Sequence, residues 1–216
     1  TRPVLVIMCK HKTDGRSRLP MQRHLLVPVI LGFVLVLGGC GAPDSGTAPA
    51  SQPPDSVRRA VEQSIQALNQ MRESLAATID TPAVDKGTFK RVCAPVGKRA
   101  RELGQENGWA VQQLAKKYRN PANQLDAEAR RLHRQFADSS GLTERWIRTT
   151  RDGTEGWRYA RRITVRPSCT ACHGPKEQRP EFVKTGYPDD RAYGFEAGDL
   201  RGLYSVFVPD STVRTE

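Results

Sequence analysis

Between residues 55 and 81 apolar side chains recur every three or four positions, at Val57, Val61, Ile65, Leu68, Met71, Leu75 and Ile79, the interval that aligns one face of an α-helix. A long N-terminal helix is predicted there, with Asp55 or Ser56 as its cap and "DTPAVDKG" as its stop. From about Pro82 a second amphipathic helix is predicted through Phe89, Val92, Cys93, Val96 and Ala100 to Leu103. Pro95 lacks an N–H, so a kink or a broken hydrogen bond is expected two residues beyond Cys93, which lies on the apolar face. "WAVQQLAKKY" reads as a strand, stopped by Pro121 in "RNPAN". "QLDAEARRLHRQFADSSG" returns to the helical period, with Leu125, Ala129, Leu132 and Phe136 facing inward and His133 beside them. "TERWIRTT" and "WRYARRITV" flank an Asp-Gly turn and predict an antiparallel hairpin. "YPDDRAYGFEAGD" is loop, and "LRGLYSVFVP" sets Leu203, Ser205 and Phe207 against Tyr204, Val206 and Val208 as a last strand. Trp109, Trp146 and Trp157 are expected in the core. The class predicted is α+β, an antiparallel sheet with flanking helices.

Upstream the pattern changes. "MQRHLLVPVILGFVLVLGGC" has Arg23 and His24 after a Met, thirteen uncharged, mostly apolar residues from Leu25 to Leu37, then Gly38, Gly39 and Cys40. Thirteen residues at about 1.5 Å each cover roughly 20 Å, short of the roughly 30 Å of a hydrocarbon core. Residues 21–39 therefore read as an export signal and not as a permanent span. "LGGC" resembles a lipobox, which implies cleavage before Cys40 and its acylation; several acyl chains make a durable anchor. With Gly41 and no Asp after the cysteine, the chain resembles lipoproteins sorted to the outer membrane, facing the periplasm. Residues 1–20, with Cys9, have no part in this grammar and read as an upstream extension. Residues 40–54, rich in Gly, Ala, Pro and Ser, read as a flexible tether. Residues 55–81 are then the N-terminal helix and 82–216 the folded domain, with no output domain expected beyond the last strand.

Charge adds little. The net charge is +11, but residues 1–39 carry six basic groups and one acidic group, which leaves 28 basic against 22 acidic groups in the remainder. These are interspersed and not gathered into basic runs with interleaved aromatics, so no nucleic-acid partner is expected.

The chemistry concentrates in "RPSCTACHGP". Cys169, Cys172 and His173 have the spacing by which two thiols add across the vinyl groups of a haem while the next imidazole reaches the iron. By composition the pattern is expected on the order of 0.002 times in this chain, too rarely for accident. A zinc site needs a second ligand pair, and the mature chain offers only Cys93 and His133 at unsuitable spacings. A thioredoxin-like pair needs an alternating α/β pattern that is missing, and a plain disulfide is the remaining alternative in an oxidising compartment. One covalently bound haem c, with His173 as proximal ligand, is the reading that follows. For the opposite axial position Cys93, His133 and Met71 are the candidates. Arg119 and Asn120 in "RNPAN" are candidates for bonds to a haem propionate.

"CTACHG" followed by "GYPDDRAYGFEAGDLRGLYSV", with "RNPAN" and the helical "VCAPVGKRA", resembles a family of exported c-type haem domains with a PAS-like fold, over roughly Pro82 to Val208. The resemblance implies a His/Cys-ligated iron, with Cys93 opposite His173. It departs in "VQQLAKK" and "LDAEARR", where the family usually shows a more basic strand and an aromatic-acidic helix start. The expected function is low-potential electron transfer with a periplasmic redox partner, by a lipid-anchored mono-haem cytochrome that is not an enzyme. The alternative is a redox or diatomic-gas sensor that signals through a partner protein.

Overall fold

The N-terminal apolar stripe forms helix α1 (Asp55–Ala76), with Val57, Val61, Ile65 and Leu68 buried along one face. Its cap position is Pro54, which supplies no side-chain cap. Asp55, an expected cap, instead lies within the first turn, where its charge complements the helix dipole and pairs with Arg58 at 3.0 Å. The computed structural model describes residues 52–79 and 84–213. The upstream extension, the predicted signal 21–39, Cys40 with the tether up to residue 51, and positions 80–81 of the predicted first helix lie outside the described residues.

The second predicted helix is two. Helix α2 (Lys86–Val92), capped by Asp85 accepting from the Thr88 N–H at 2.6 Å, ends at Cys93, and α3 (Ala94–Asn107) starts after it with Pro95 in its first turn. The missing Pro95 N–H is harmless there, because first-turn amides have no intrahelical partner. The break therefore falls at Cys93 itself, two residues earlier than Pro95, and puts the cysteine on the corner between two helices.

Strand β1 (Ala110–Leu114), helix α4 (Ala127–Asp138), strands β2 (Glu144–Arg151) and β3 (Thr154–Thr164), two short helices α5 (Thr170–His173) and α6 (Glu181–Gly186), strand β4 (Leu200–Pro209) and a terminal turn α7 (Asp210–Val213) complete the order. The four strands form one antiparallel sheet in the order β1-β4-β3-β2. The β2–β3 turn places Asp152 and Gly153 at positive φ, 51° and 78°, the two left-handed positions that a tight hairpin needs. The last strand thus sits inside the sheet, and its alternation serves two cores. Tyr204, Val206 and Val208 pack with Trp157, Tyr159 and Ile163 against α1 and α3; Leu203 packs with Leu114 and Ala160 against α4. Trp157 is in the first core, with Trp109 and Trp146 packed at its margin. The result is the α+β, PAS-like arrangement expected, with helices on both faces of the sheet.

One irregularity matters later. Ile163 pairs with Gly202 but Thr164 pairs with Leu200, so Arg201 is an extra residue in β4, a β-bulge. Gly202 beside it lies so close to β1 that a Cβ would sit 2.3 Å from the Leu114 carbonyl oxygen.

Ile65 is fully buried in the centre of the first core. Ile65→Ala is expected to lower the unfolding free energy by about 2–5 kcal/mol in urea titrations with an unchanged slope, because it removes burial and leaves a cavity.

Candidate functional site

Cys169 ends a short 3₁₀ turn (Pro167–Cys169) and Cys172 lies in α5, three residues on, so their side chains share one face of a single helical turn. The Thr170 hydroxyl donates to the Pro167 carbonyl at 2.6 Å, and the Gly174 N–H donates back to the Thr170 carbonyl at 2.7 Å, which closes the turn. A Cβ at Gly174 would lie 2.6 Å from that same carbonyl oxygen, so only glycine follows His173 without rearrangement.

His173 is held from below by the loop before β4. Its Nδ1 lies 2.7 Å from the Ala192 carbonyl oxygen, which accepts only if Nδ1 carries the proton. That tautomer leaves Nε2 as the lone-pair nitrogen, the arrangement by which a backbone carbonyl orients a ligating imidazole. The Arg119 Nη2 atom, 3.4 Å from Nδ1, is then a charge facing a donor and not a hydrogen-bond partner. Burial, with Arg201 and Arg119 adding positive charge, holds the His173 pKa well below its usual range, so the ring is neutral. The Phe195 ring meets the imidazole edge-on at 6.3 Å, and its N–H donates to the His173 carbonyl at 3.0 Å.

The loop is itself locked by Asp190, whose carboxylate is fully buried. It accepts from Arg119 Nε at 3.3 Å, from Arg179 Nη1 at 2.8 Å and from the Ala192 N–H at 3.0 Å. Arg119 also donates from Nη2 to the Cys172 carbonyl at 2.8 Å. One carboxylate therefore joins the "RNPAN" turn, the segment after the Cys-Cys-His run, and the residue whose carbonyl orients His173. Burial alone would raise the Asp190 pKa, but the bonds from Arg179, Ala192 and Arg119 outweigh it and hold the pKa below 3.8.

Cys93, Cys169, Cys172 and His173, from segments some 75 residues apart, line one cavity with about 1000 Å³ of space between its walls, part of it open to solvent. Val92, Val96, Leu114, Ile163 and Val165 make its apolar walls, and Arg72, Ala76 and Ile79 make a further wall from α1 and the residues after it. Cys93 presents its surface to this cavity; burial, then the nearby Cys172 and Cys169 thiols, push its pKa up to about 11 against the pull of Arg119 and Arg72. All three thiols are free.

Of the three candidates for the opposite axial position, the structure brings only Cys93 to this cavity. His133 is on α4, across the sheet, where it lines a separate cavity with Lys116, Lys117 and Phe195. Met71 is on α1 and does not line the cavity. Asn120 lies outside it as well: its side chain accepts from the Ala122 N–H at 3.0 Å and caps the turn, while Asn123 reaches the wall instead. Arg119 does line the cavity, with Nε and Nη2 committed as above. Asp190, Arg179 and Arg72 were assigned no role from sequence. Arg72 carried a signal, since it lies four residues after Leu68, at a position the inward stripe of α1 reserves for an apolar side chain.

The Tll0287-like family model matches residues 50–209, which takes in α1 and every element of the site. The chain belongs to the Tll0287-like family. The crystal structure of the cyanobacterial haem protein Tll0287 is 45% identical in sequence, with a TM-score of 0.65 over 72% of this chain and 96% of that one. No curated protein matches.

The Asp190 lock gives this Tll0287-like domain a pH dependence. A carboxylate with a depressed folded pKa stabilises the fold above its unfolded value of about 3.8, and that stability is lost as pH falls through the folded pKa. Asp190→Asn is expected to destabilise the protein by about 2–4 kcal/mol at neutral pH, since two partly buried guanidiniums lose their counter-charge. It should also flatten the acid limb of a stability-against-pH curve measured by chemical denaturation; an unchanged limb would assign the acid sensitivity elsewhere, with Asp126 beside Arg158 the next carboxylate of this kind.

Proposed function

We propose that this chain is a mono-haem c protein in which Cys169 and Cys172 hold the macrocycle by thioethers, and His173 and Cys93 are the axial ligands of its iron. The observation that carries the reading is the convergence of these four side chains on one apolar-walled cavity, in a chain 45% identical to a haem protein. The donor set fits that group. Among the described residues no three His, Cys, Asp or Glu side chains are close enough together to hold a bare metal ion, which speaks against a zinc site built from these thiols and the imidazole.

Bound there, the haem supplies a one-electron ferric/ferrous couple. The chain's own residues set the conditions. The Ala192 carbonyl fixes the His173 tautomer, the Asp190 lock fixes that carbonyl, and the apolar walls limit solvent access, which is how a protein tunes potential from outside the ligand shell. Thiolate ligation by Cys93 favours the ferric state and a low potential. With both axial positions taken by side chains, electron transfer to and from a periplasmic redox partner is the reading, with no catalytic turnover at the iron. Export under residues 21–39 and acyl anchoring at Cys40 to the outer membrane belong to the same proposal.

A second reading, redox or gas sensing, is supported by one observation. The end of α1 is a wall of the cavity, so a change of ligation at Cys93 bears directly on the helix that leads back to the tether.

Protein matured with bacterial haem-attachment machinery is expected to give a pyridine haemochrome spectrum that Cys169→Ala with Cys172→Ala abolishes. Ferric electron paramagnetic resonance should change in Cys93→Ala and stay unchanged in His133→Ala; the reverse pattern rejects His/Cys ligation. Slow or absent carbon monoxide binding to the ferrous protein supports the carrier, and fast binding supports the sensor.

A further inference from the structure

Three arginines, Arg72, Arg119 and Arg201, line the cavity, and among the described residues no carboxylate does. Two of them are balanced locally. Arg72 lies 3.2 Å from Glu73 and Arg119 lies 3.3 Å from Asp190. Other arginines withdrawn from solvent are treated the same way, Arg158 by Asp126 and Glu128, Arg179 by Asp190, and Arg161 by Glu144. Arg201 is the exception among these: its recorded partners are the Lys117 carbonyl, to which Nη1 donates at 2.8 Å, and the Phe195 ring, 5.2 Å from the guanidinium carbon. A guanidinium has five N–H donors in a fork that matches a carboxylate, and one hydrogen bond leaves most of that capacity unused.

The backbone accounts for its position. Leu203 and Leu200 both pack on the α4 face although they are three residues apart, which strict alternation forbids. The bulge at Arg201 absorbs the odd residue, and bulges beside sites commonly re-aim a side chain in this way. Arg201 consequently lines both the thiol-imidazole cavity and the separate one that His133 lines. Burial of the half-exposed side chain, with repulsion from Arg119 and Arg72 set against the pull of Asp190 and Cys169, lowers its pKa to about 10.

We infer that Arg201, set at the cavity wall by the β4 bulge, is the carboxylate anchor of the site and pairs with a propionate of the bound haem. This rests on the haem reading above, and it moves the propionate contact from Arg119 and Asn120 to a β4 residue that bonds the Lys117 carbonyl close beside them. The ligand chemistry is that of a carboxylate carried on an apolar macrocycle: the walls take the ring and the unpaired guanidinium takes the anion.

The test compares wild type, R201Q and R201K, each matured with haem, by haemochrome content, ferric electron paramagnetic resonance and potential against pH. R201Q is expected to keep the axial spectrum and to shift the ferric/ferrous equilibrium about tenfold toward ferric, roughly 59 mV for one electron, because a positive charge beside the haem is lost. The pH step from carboxyl ionisation should move upward in R201Q and return most of the way in R201K. If R201Q gives no holoprotein, haem labelled with ¹³C at its carboxylates is compared in wild type and R201K, where the infrared carboxylate bands should differ, since a bidentate fork has become a point charge. Identical bands, or an R201Q potential and pH step equal to wild type, overturn the Arg201 assignment alone. A wild-type protein that carries no haem overturns the haem reading and this inference together.

Discussion

A single buried carboxylate organises the site. Asp190 accepts from Arg119, from Arg179 and from the Ala192 N–H, and so fastens segments about 70 residues apart around the backbone carbonyl that His173 needs. Taking a charge out of water is expensive, and it is tolerated here because two guanidiniums and an amide meet it. The neighbouring contacts depend on that arrangement: the Arg191 N–H donates to the Tyr118 carbonyl, and the Gly194 N–H to the Gly174 carbonyl, so the loop before β4 lies against both the "RNPAN" turn and α5. Remove the carboxylate and the strap under the histidine loses the interaction that holds its two ends.

The second constraint is covalent. Pro95 cannot donate a backbone hydrogen bond, and the chain accommodates this by starting a new helix at Ala94. Cys93, at the corner, faces the cavity with less surrounding structure than a mid-helix residue has. The histidine side is thus held by a dense polar lock and the cysteine side by a helix junction. For a site proposed to change ligation, that asymmetry puts mobility on the cysteine side.

Much of the architecture was legible in the chain because it is local. The stripes of α1 and α4, the Asp-Gly turn of the hairpin and the alternation of β4 each follow from periodicity or turn chemistry within a few residues, and the structure contains them. The helix containing Cys93 shows the limit: the proline announced a break, but whether the chain bends or restarts depended on what packs on either side. The site divides the same way. Cys169, Cys172 and His173 are adjacent, so their meeting is guaranteed by sequence. Whether Cys93 or His133 faces them is a question of sheet faces, and His133 went to the opposite face with α4, while Met71 lies on a helix that walls the cavity but does not itself line it.

Taken alone, then, the order of residues determined the pairing of two thiols with an imidazole, the run of helices and strands, and the resemblance that pointed to a PAS-like haem domain, since all of these are properties of short stretches. Tertiary structure decided which arginine keeps an unanswered charge at the cavity and which carbonyl orients the imidazole. Those outcomes depend on strand register and on a one-residue bulge opposite Ile163 and Thr164, and register is set by non-local packing, in which a shift of one residue sends a side chain to the other face.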